Sequence, residues 1–270
     1  MEPAVQHRRL IIAGLHVILI LARIVASGSP SVSPSLPQVN QRHSREIDTE
    51  VGQWSAQLKS GDPEQRREAA MQLSRIEGNA ATSALVSALT DPSPLVRGAV
   101  AASLGERADP SVASPLGARL TSDKDAFVRK TAAYALGRFS GTERTAALLA
   151  ALKDKDPEVR GAAAVSLGDH AESAAVAPLA AALSDKSAFV RAQTARALGV
   201  NGSGARQAVP TLIGLLTSDQ DGEVKRQAAT ALGSIGDRSA LQALDRATRD
   251  SDPYLAQAAR DSIRMVDRTR

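Results

Sequence analysis

The sequence predicts an all-α protein built as a tandem array of two-helix repeats, and three observations lead to that prediction. Apolar residues make up 43% of the 270 residues but aromatic residues only 2%, so alanine and leucine dominate the apolar set. This composition suits close-packed helices better than sheets, which favour β-branched and aromatic side chains. One motif recurs from residue 51 onwards, and its apolar residues keep helical spacing in each copy.

The copies align on one position, here called the anchor, which is basic in six of seven copies. Successive anchors are 31, 32, 31, 31, 34 and 31 residues apart: Arg66, Arg97, Arg129, Arg160, Arg191, Lys225 and Ala256. A leucine or isoleucine follows each anchor by seven residues, and a glycine comes next in the five central copies. A register held over about 200 residues predicts seven structural units.

Each unit is predicted to contain two short helices, as the fourth copy illustrates. Leu148 and Leu152, one turn apart, mark its first helix. In its second helix Asp156 is the expected N-cap, Pro157 opens the first turn, and Gly168 is the expected C-cap. Helices this short are marginal alone, so each pair must bury its apolar stripe against neighbouring pairs.

The first fifty residues differ from the repeats. A basic start, a short apolar run and small residues after it predict a secretory signal peptide over residues 1–27. The alternative is an uncleaved N-terminal anchor, with a membrane tether through residues 10–26. Residues 28–50, rich in Ser and Pro, are predicted to be an extended linker, and residues 51–270 to form the solenoid. The protein is expected to be exported or membrane-anchored, and cytoplasmic if the apolar start is not a real signal.

Composition also restricts the chemistry. The absence of cysteine excludes disulfides, thiolate metal sites and cysteine nucleophiles. Because His170 is the one histidine of the repeats and a metal site needs three or more converging ligands, we expect no metal ion and no other cofactor. Net charge is +4 without a Lys/Arg block, so charge alone does not indicate nucleic-acid binding.

An acidic and a basic residue recur at fixed places in the repeat, and they are the most conspicuous catalytic candidates. Such a row could serve acid–base chemistry or anion binding. Identical groups in nearly every copy favour a structural role instead, because an active site would break the repeat symmetry. We predict a ladder of Asp–Arg bonds that ties loops to helices. The ladder consists of Asp91, Arg97, Asp123, Arg129, Asp154, Arg160, Asp185 and Arg191.

The unit "D-x-D/S-P/A-x-V-R-x-x-A-A-x-x-L-G" resembles the short HEAT-like repeat of the phycobilisome-lyase (PBS lyase) family, over about residues 51 to 270. The resemblance implies a right-handed α-solenoid whose first helices lie on the convex side and whose second helices line the concave side. The family includes lyases, metal-dependent hydroxylases, nucleic-acid-binding proteins and adaptors, so it does not choose a function. The hydroxylases carry His-Glu pairs in their helices, where this chain has residues such as Gly161 and Ala162, which cannot bind metal.

Positions that vary between copies, on the expected concave side, are the candidates for partner binding. Gly98 and Gly161 suggest a smooth central groove, and the alternative is unselected surface variation. Phe127, Phe189 and Tyr254 share one repeat position, either as an exposed stripe or as packing between repeats. The candidate contact residues are Arg67, Lys130, Tyr134, Arg138, Arg196 and Arg226.

These observations favour a non-catalytic scaffold that binds a protein or peptide on the concave face. The alternative is a nucleic-acid-binding solenoid with a basic groove, which the sequence pI of about 9.7 supports and the interleaved acidic residues oppose. A phycobilin-lyase-like enzyme is the third hypothesis, and it would need an aromatic-lined pocket for a tetrapyrrole.

Overall fold

The computed structural model describes residues 36–107 and 109–268. These residues form fourteen α-helices and three short 3-10 helices, with no strand among them. The chain divides into two units, and Ile47–Arg270 is the compact unit that contains the repeats. The all-α repeat architecture predicted from the sequence is confirmed.

The helices alternate between the two kinds that each repeat requires. The first helices are α1 (Leu36–Gln57), α3 (Asn79–Ala88), α5 (Ala113–Ser122), α7 (Thr142–Ala151), α9 (Ser173–Ala182), α11 (Val209–Ser218) and α13 (Leu241–Ala247). The second helices are α2 (Pro63–Arg75), α4 (Pro94–Arg107), α6 (Ala126–Leu136), α8 (Pro157–Gly168), α10 (Ala188–Val200), α12 (Gly222–Ile235) and α14 (Pro253–Arg268). Short 3-10 helices at Pro110–Val112, Gly202–Ala208 and Arg238–Ala240 precede α5, α11 and α13.

Side-chain capping fixes where several second helices begin. The carboxylate four residues before the anchor accepts a hydrogen bond from the backbone N–H two residues later, which satisfies an otherwise unpaired donor of the first turn. The caps of this kind that open α2, α6, α8 and α12 are Asp62, Asp125, Asp156 and Asp221.

The core is one continuous layer of small and branched apolar side chains between first and second helices. The leucine seven residues after the anchor is fully buried in each of the first six copies: Leu73, Leu104, Leu136, Leu167, Leu198 and Leu232. Because no repeat can enclose its own leucines, burial couples each unit to its neighbours.

The glycine after that leucine is at the C-cap position in α6, where Gly137 has right-handed backbone angles, but Gly168 has a different role from the predicted C-cap. Gly168 is the last residue of α8, and the cap residue that follows, Asp169, has right-handed backbone angles. A Cβ atom on Gly168 would lie 2.8 Å from the Cβ of Ala197 on α10, closer than real side chains pack. The left-handed glycine that ends α12 is Gly236, three residues after the repeated Gly233. The repeated glycine therefore allows successive second helices to approach each other.

The close packing between successive second helices determines which face of the array is the inner one. Each second helix packs extensively on the next along the whole array, whereas the first helices pack closely on one another only between α5 and α7. Helices spaced more tightly on one side curve the array towards that side. The second helices therefore line the inner surface, here called the second-helix face.

The predicted linker over residues 28–50 is wrong from Leu36 onwards, where α1 begins. The Ser/Pro-rich composition ends at Pro37, and no proline or glycine follows until Gly52. Ile47 and Val51, one turn apart, pack against the core, so tertiary burial stabilises this helix.

The remaining N-terminal predictions lie outside the described residues. These are the signal peptide or anchor over residues 1–27, the tether through residues 10–26, and the linker before Leu36. Within the part of the chain that the structure describes, no helix combines the length and apolarity needed to cross a lipid bilayer.

Candidate functional site

The predicted acidic and basic groups meet along one edge of the array, where first helices end and second helices begin. Five arginine–aspartate pairs lie there, with Nε–Oδ2 distances of 2.7 or 2.8 Å. The pairs are Arg66–Asp91, Arg97–Asp123, Arg129–Asp154, Arg160–Asp185 and Arg191–Asp219. Each arginine reaches the aspartate of the following repeat, so every pair is a rung between two units.

Arg160 shows how one rung is built. Its Nε and Nη2 both donate to the Asp185 carboxylate at 2.7 Å, and its Nη1 donates to the backbone carbonyl of Asp154 at 2.9 Å. Asp185 also accepts from the backbone N–H of Ser187 at 2.8 Å. Burial disfavours the ionised Asp185, but the bonds from Arg160 and Ser187 outweigh it and lower the pKa of the carboxyl. The rung is thus a bidentate, charge-assisted bond from the first turn of α8 to the loop before α10.

The pairing refines the predicted ladder, because the bonds run between copies rather than within one. Asp154 and Arg160 of the same copy meet only through the Asp154 backbone carbonyl. The two terminal copies fit this pairing between copies, because each lacks the group that would have no partner. The first copy has Ser60 where the others have aspartate, and the last has Ala256 where the others have a basic anchor. In each rung both carboxylate oxygens are bonded, which leaves no free acid or base for catalysis there.

The second-helix face differs from that edge, because it carries apolar side chains without a covering partner. Six large apolar residues in the described part of the chain are exposed, between 41% and 76%. All six belong to second helices or their ends: Leu95, Phe127, Tyr134, Val200, Tyr254 and Met265.

The glycines expected to form a smooth groove on this face are instead covered. A Cβ atom on Gly98 would lie 2.2 Å from Cε1 of Phe127, and one on Gly161 would lie 2.2 Å from Cε1 of Phe189. Each ring comes from the next repeat, so packing between repeats is the main role of this aromatic position. Phe127 nevertheless remains 45% exposed on its other side.

The six predicted contact residues divide into two groups. Arg67 bonds Glu64 at 2.8 Å, Lys130 Nζ lies 3.7 Å from Glu158, and Arg226 bonds Glu223 at 2.9 Å and Asp252 at 2.5 Å. These three cations are already partly neutralised.

Tyr134, Arg138 and Arg196 form the second group, and all three are exposed. Neither Arg138 nor Arg196 forms an ion pair within the described part of the chain. Tyr134 and Arg196 occupy equivalent positions on α6 and α10, with Val165 of α8 between them.

The charge of Arg196 acts on the Tyr134 hydroxyl. Burial raises the pKa of Tyr134, the carboxylate of Glu158 raises it further, and the guanidinium of Arg196 opposes that rise. We call Tyr134, Arg138, Val165, Arg196 and Val200 the central patch. Three of its members, Tyr134, Arg138 and Arg196, were predicted as contact residues from the sequence, and Val165 and Val200 were not.

A buried arginine on the opposite edge was also missed. Arg144 is completely buried at the start of α7, donates to the Leu136 carbonyl at 3.1 Å, and bonds Glu172 at 2.5 Å. It lies one turn before Leu148 on the apolar stripe, so a charge at a core position was the available signal. Because it occurs in one copy only, repeat alignment did not reveal it.

Two shallow grooves lie between first helices, one of about 420 Å³ between α1 and α3 and one of about 540 Å³ between α7 and α9. Their linings are mostly alanine, leucine and serine, with Asp91 or Asp185 of the ladder at the rim. In the described ranges no three His, Asp or Glu side chains gather as metal ligands would. His170 Nε2 lies 2.8 Å from the Gly137 carbonyl oxygen.

Tandem two-helix units with stacked second helices define an α-solenoid of the HEAT and armadillo class. The HEAT-repeats family model matches residues 53–137, 120–199 and 176–264. The chain therefore belongs to the HEAT-repeat family. No curated protein matches the sequence.

Solved structures agree on the fold. YibA of E. coli is similar with a TM-score of 0.62 and 20% identity, covering 82% of each chain. The complex of CpcE and CpcF of phycocyanin lyase from Nostoc sp. PCC7120 is similar with a TM-score of 0.50 and 21% identity, covering 90% of this chain and 97% of that chain. An engineered protein is similar with a TM-score of 0.51 and 24% identity, covering 80% of this chain and 68% of that chain.

Proposed function

We propose that this protein is a non-catalytic interaction scaffold that binds a protein or peptide on its second-helix face. The observation that carries the proposal is that, among the described residues, every exposed large apolar side chain belongs to a second helix. Aromatic and other large side chains contribute most of the energy at interaction sites.

The distribution of polar groups supports binding rather than catalysis. The acidic and basic groups of the ladder are bonded to each other and repeat from unit to unit, whereas a reactive site is a cluster of groups in a unique setting. HEAT solenoids generally serve as protein-interaction scaffolds, and CpcE and CpcF, which resemble this chain in fold, form a complex with each other.

A selection experiment tests the proposal with the full chain. A phage-displayed library of random 12-residue peptides is selected on the immobilised protein, and each enriched peptide is measured again on a variant with Leu95→Ala and Tyr134→Ala. We expect the variant to lose binding, because these exposed side chains supply apolar contact area. Leu149→Ala on the first-helix side is the control and retains binding. Equal binding by all three proteins would overturn the proposal.

Nucleic-acid binding is the second candidate, and the unpaired cations Arg138 and Arg196 favour it. Glu64, Glu158 and Glu223 along the same face oppose it, because they repel a phosphate backbone. We would accept this candidate if the protein binds a 20-base-pair DNA duplex with an affinity that falls steeply as the salt concentration rises.

A further inference from the structure

We propose that the central patch recognises an extended peptide segment in which an acidic side chain accompanies apolar or aromatic ones. The inference rests on the proposed function and adds the chemistry of the partner. It starts from the charge of the patch, which differs from that of its surroundings.

The patch has two arginines without an ion pair in the described structure, whereas Lys130 and Arg226 nearby in the repeat pattern are paired with carboxylates. Lys130 is opposed by Glu158 of the next repeat, and Arg226 by Glu223 and Asp252. Asp169, at the end of α8, acts electrostatically on the buried Arg144. Arg138 and Arg196 therefore retain two full charges, and a guanidinium stays protonated at any physiological pH.

Apolar surface lies directly beside these charges. Tyr134 is 45% exposed and lies four residues before Arg138, which is in the turn after α6; Val200 is 54% exposed and lies four residues after Arg196 on α10. Between them α8 presents Val165, a short and partly exposed side chain, at the equivalent repeat position. The longer side chains of Tyr134 and Arg196 thus stand on either side of a shorter one, where a peptide backbone fits.

The spacing of the helices sets the length of the segment. Neighbouring helices pack about 8–10 Å apart, so α6 and α10 lie roughly 16–20 Å apart. An extended chain covers that span in about five or six residues. An acidic residue facing Arg196 would then lie within a few positions of an apolar residue facing Tyr134. A bidentate carboxylate–guanidinium bond would fix the register.

The selection of 12-residue peptides on the full chain also tests this inference. We expect the enriched peptides to contain Asp or Glu next to Leu, Phe, Tyr or Trp. They should bind the Arg138→Glu/Arg196→Glu variant at least about tenfold more weakly, which corresponds to about 1.4 kcal/mol. Arg138→Gln/Arg196→Gln should give a smaller loss, since it removes attraction without adding repulsion. The matched control, Lys59→Glu/Lys153→Glu, changes the net charge equally on exposed residues at the ends of first helices and retains binding.

The outcomes separate the two proposals. Enriched peptides that are neutral or basic, yet depend on Leu95 and Tyr134, overturn the acidic partner and leave the binding face in place. An equal loss in the lysine control also overturns it, because long-range charge would then explain the effect. Failure to enrich any peptide overturns both proposals. If the DNA duplex competes with bound peptide, the partner of this face is a nucleic acid and the peptide proposal is overturned.

Discussion

The ladder edge and the second-helix face are built from the same repeats but differ in how their polar groups are used. At the edge, each arginine bonds a carboxylate and two backbone carbonyls, and the arrangement recurs in five successive rungs. On the face, Arg138 and Arg196 stand unpaired within the described structure beside exposed Tyr134. Groups that satisfy each other in every copy stabilise the array, and groups left unsatisfied in particular copies are available to a partner.

Breaking a central rung should have the largest effect. In Arg160→Ala, Asp185 remains in a poorly solvated loop without its partner, so we expect a loss of about 3 kcal/mol in the free energy of unfolding. Urea denaturation followed by circular dichroism measures it. Arg138→Ala, an exposed arginine of the same protein, is the control and should change stability by less than about 0.5 kcal/mol. Similar values for both variants would erase the distinction between edge and face.

Acid should lower the free energy of unfolding, because it protonates the carboxylates of the ladder. Asp91, Asp123, Asp154, Asp185 and Asp219 all have a folded-state pKa below the ordinary value. Their contribution is therefore complete above the unfolded pKa of about 3.9 and is lost as pH falls through the lower folded values.

The measurement is the urea midpoint between pH 7 and pH 2 for the native protein and for Arg160→Ala. We expect a flat profile down to about pH 5 and a fall below about pH 4. The difference in urea midpoint between the two proteins should become smaller in acid, because a protonated, neutral Asp185 no longer requires the charge of Arg160 to stabilise it. A constant gap would contradict the role assigned to the pair.

Adding a rung should have a smaller effect in the opposite direction. Lys225 occupies the anchor of the sixth copy, and a lysine cannot make the bidentate bond with simultaneous carbonyl contacts that arginine makes. Lys225→Arg should pair with Asp250 and raise the free energy of unfolding by about 0.5–1 kcal/mol. Lys225→Gln, which keeps a long polar side chain but removes the charge, is the control and should not stabilise. Destabilisation by Lys225→Arg would show that the last junction excludes a rung.

Repetition explains how far the sequence predicted the structure. Seven copies reveal helix order, N-caps and buried leucines, because each recurs where the backbone needs it. The same repetition hid which copies bond each other, since Asp154 is six residues from Arg160 but bonds Arg129. Contacts between successive units depend on stacking geometry. For that reason Gly98 and Gly161 were expected to be open, yet they accommodate rings from the next repeat.

Single-copy features were harder to predict for the same reason. Arg144 and its bond to Glu172 have no equivalent in the other copies, and their proximity spans 28 residues. Tyr134 and Arg196 differ from the residues at the same position of the other copies, and the structure exposes both of them, on the helices that flank α8. Helix α1 shows the converse case, where burial of Val51 stabilises a helix in a segment with a linker-like start.

The most direct test of the account compares binding and stability in one variant, Tyr134→Ala/Arg196→Ala. Peptides selected on the full chain are titrated against it by fluorescence anisotropy, and its urea denaturation is measured in the same buffer. The account predicts at least about tenfold weaker binding with a free energy of unfolding unchanged within about 0.5 kcal/mol. Unchanged binding, or a loss of stability that accounts for the weaker binding, would contradict the claim that the second-helix face serves recognition.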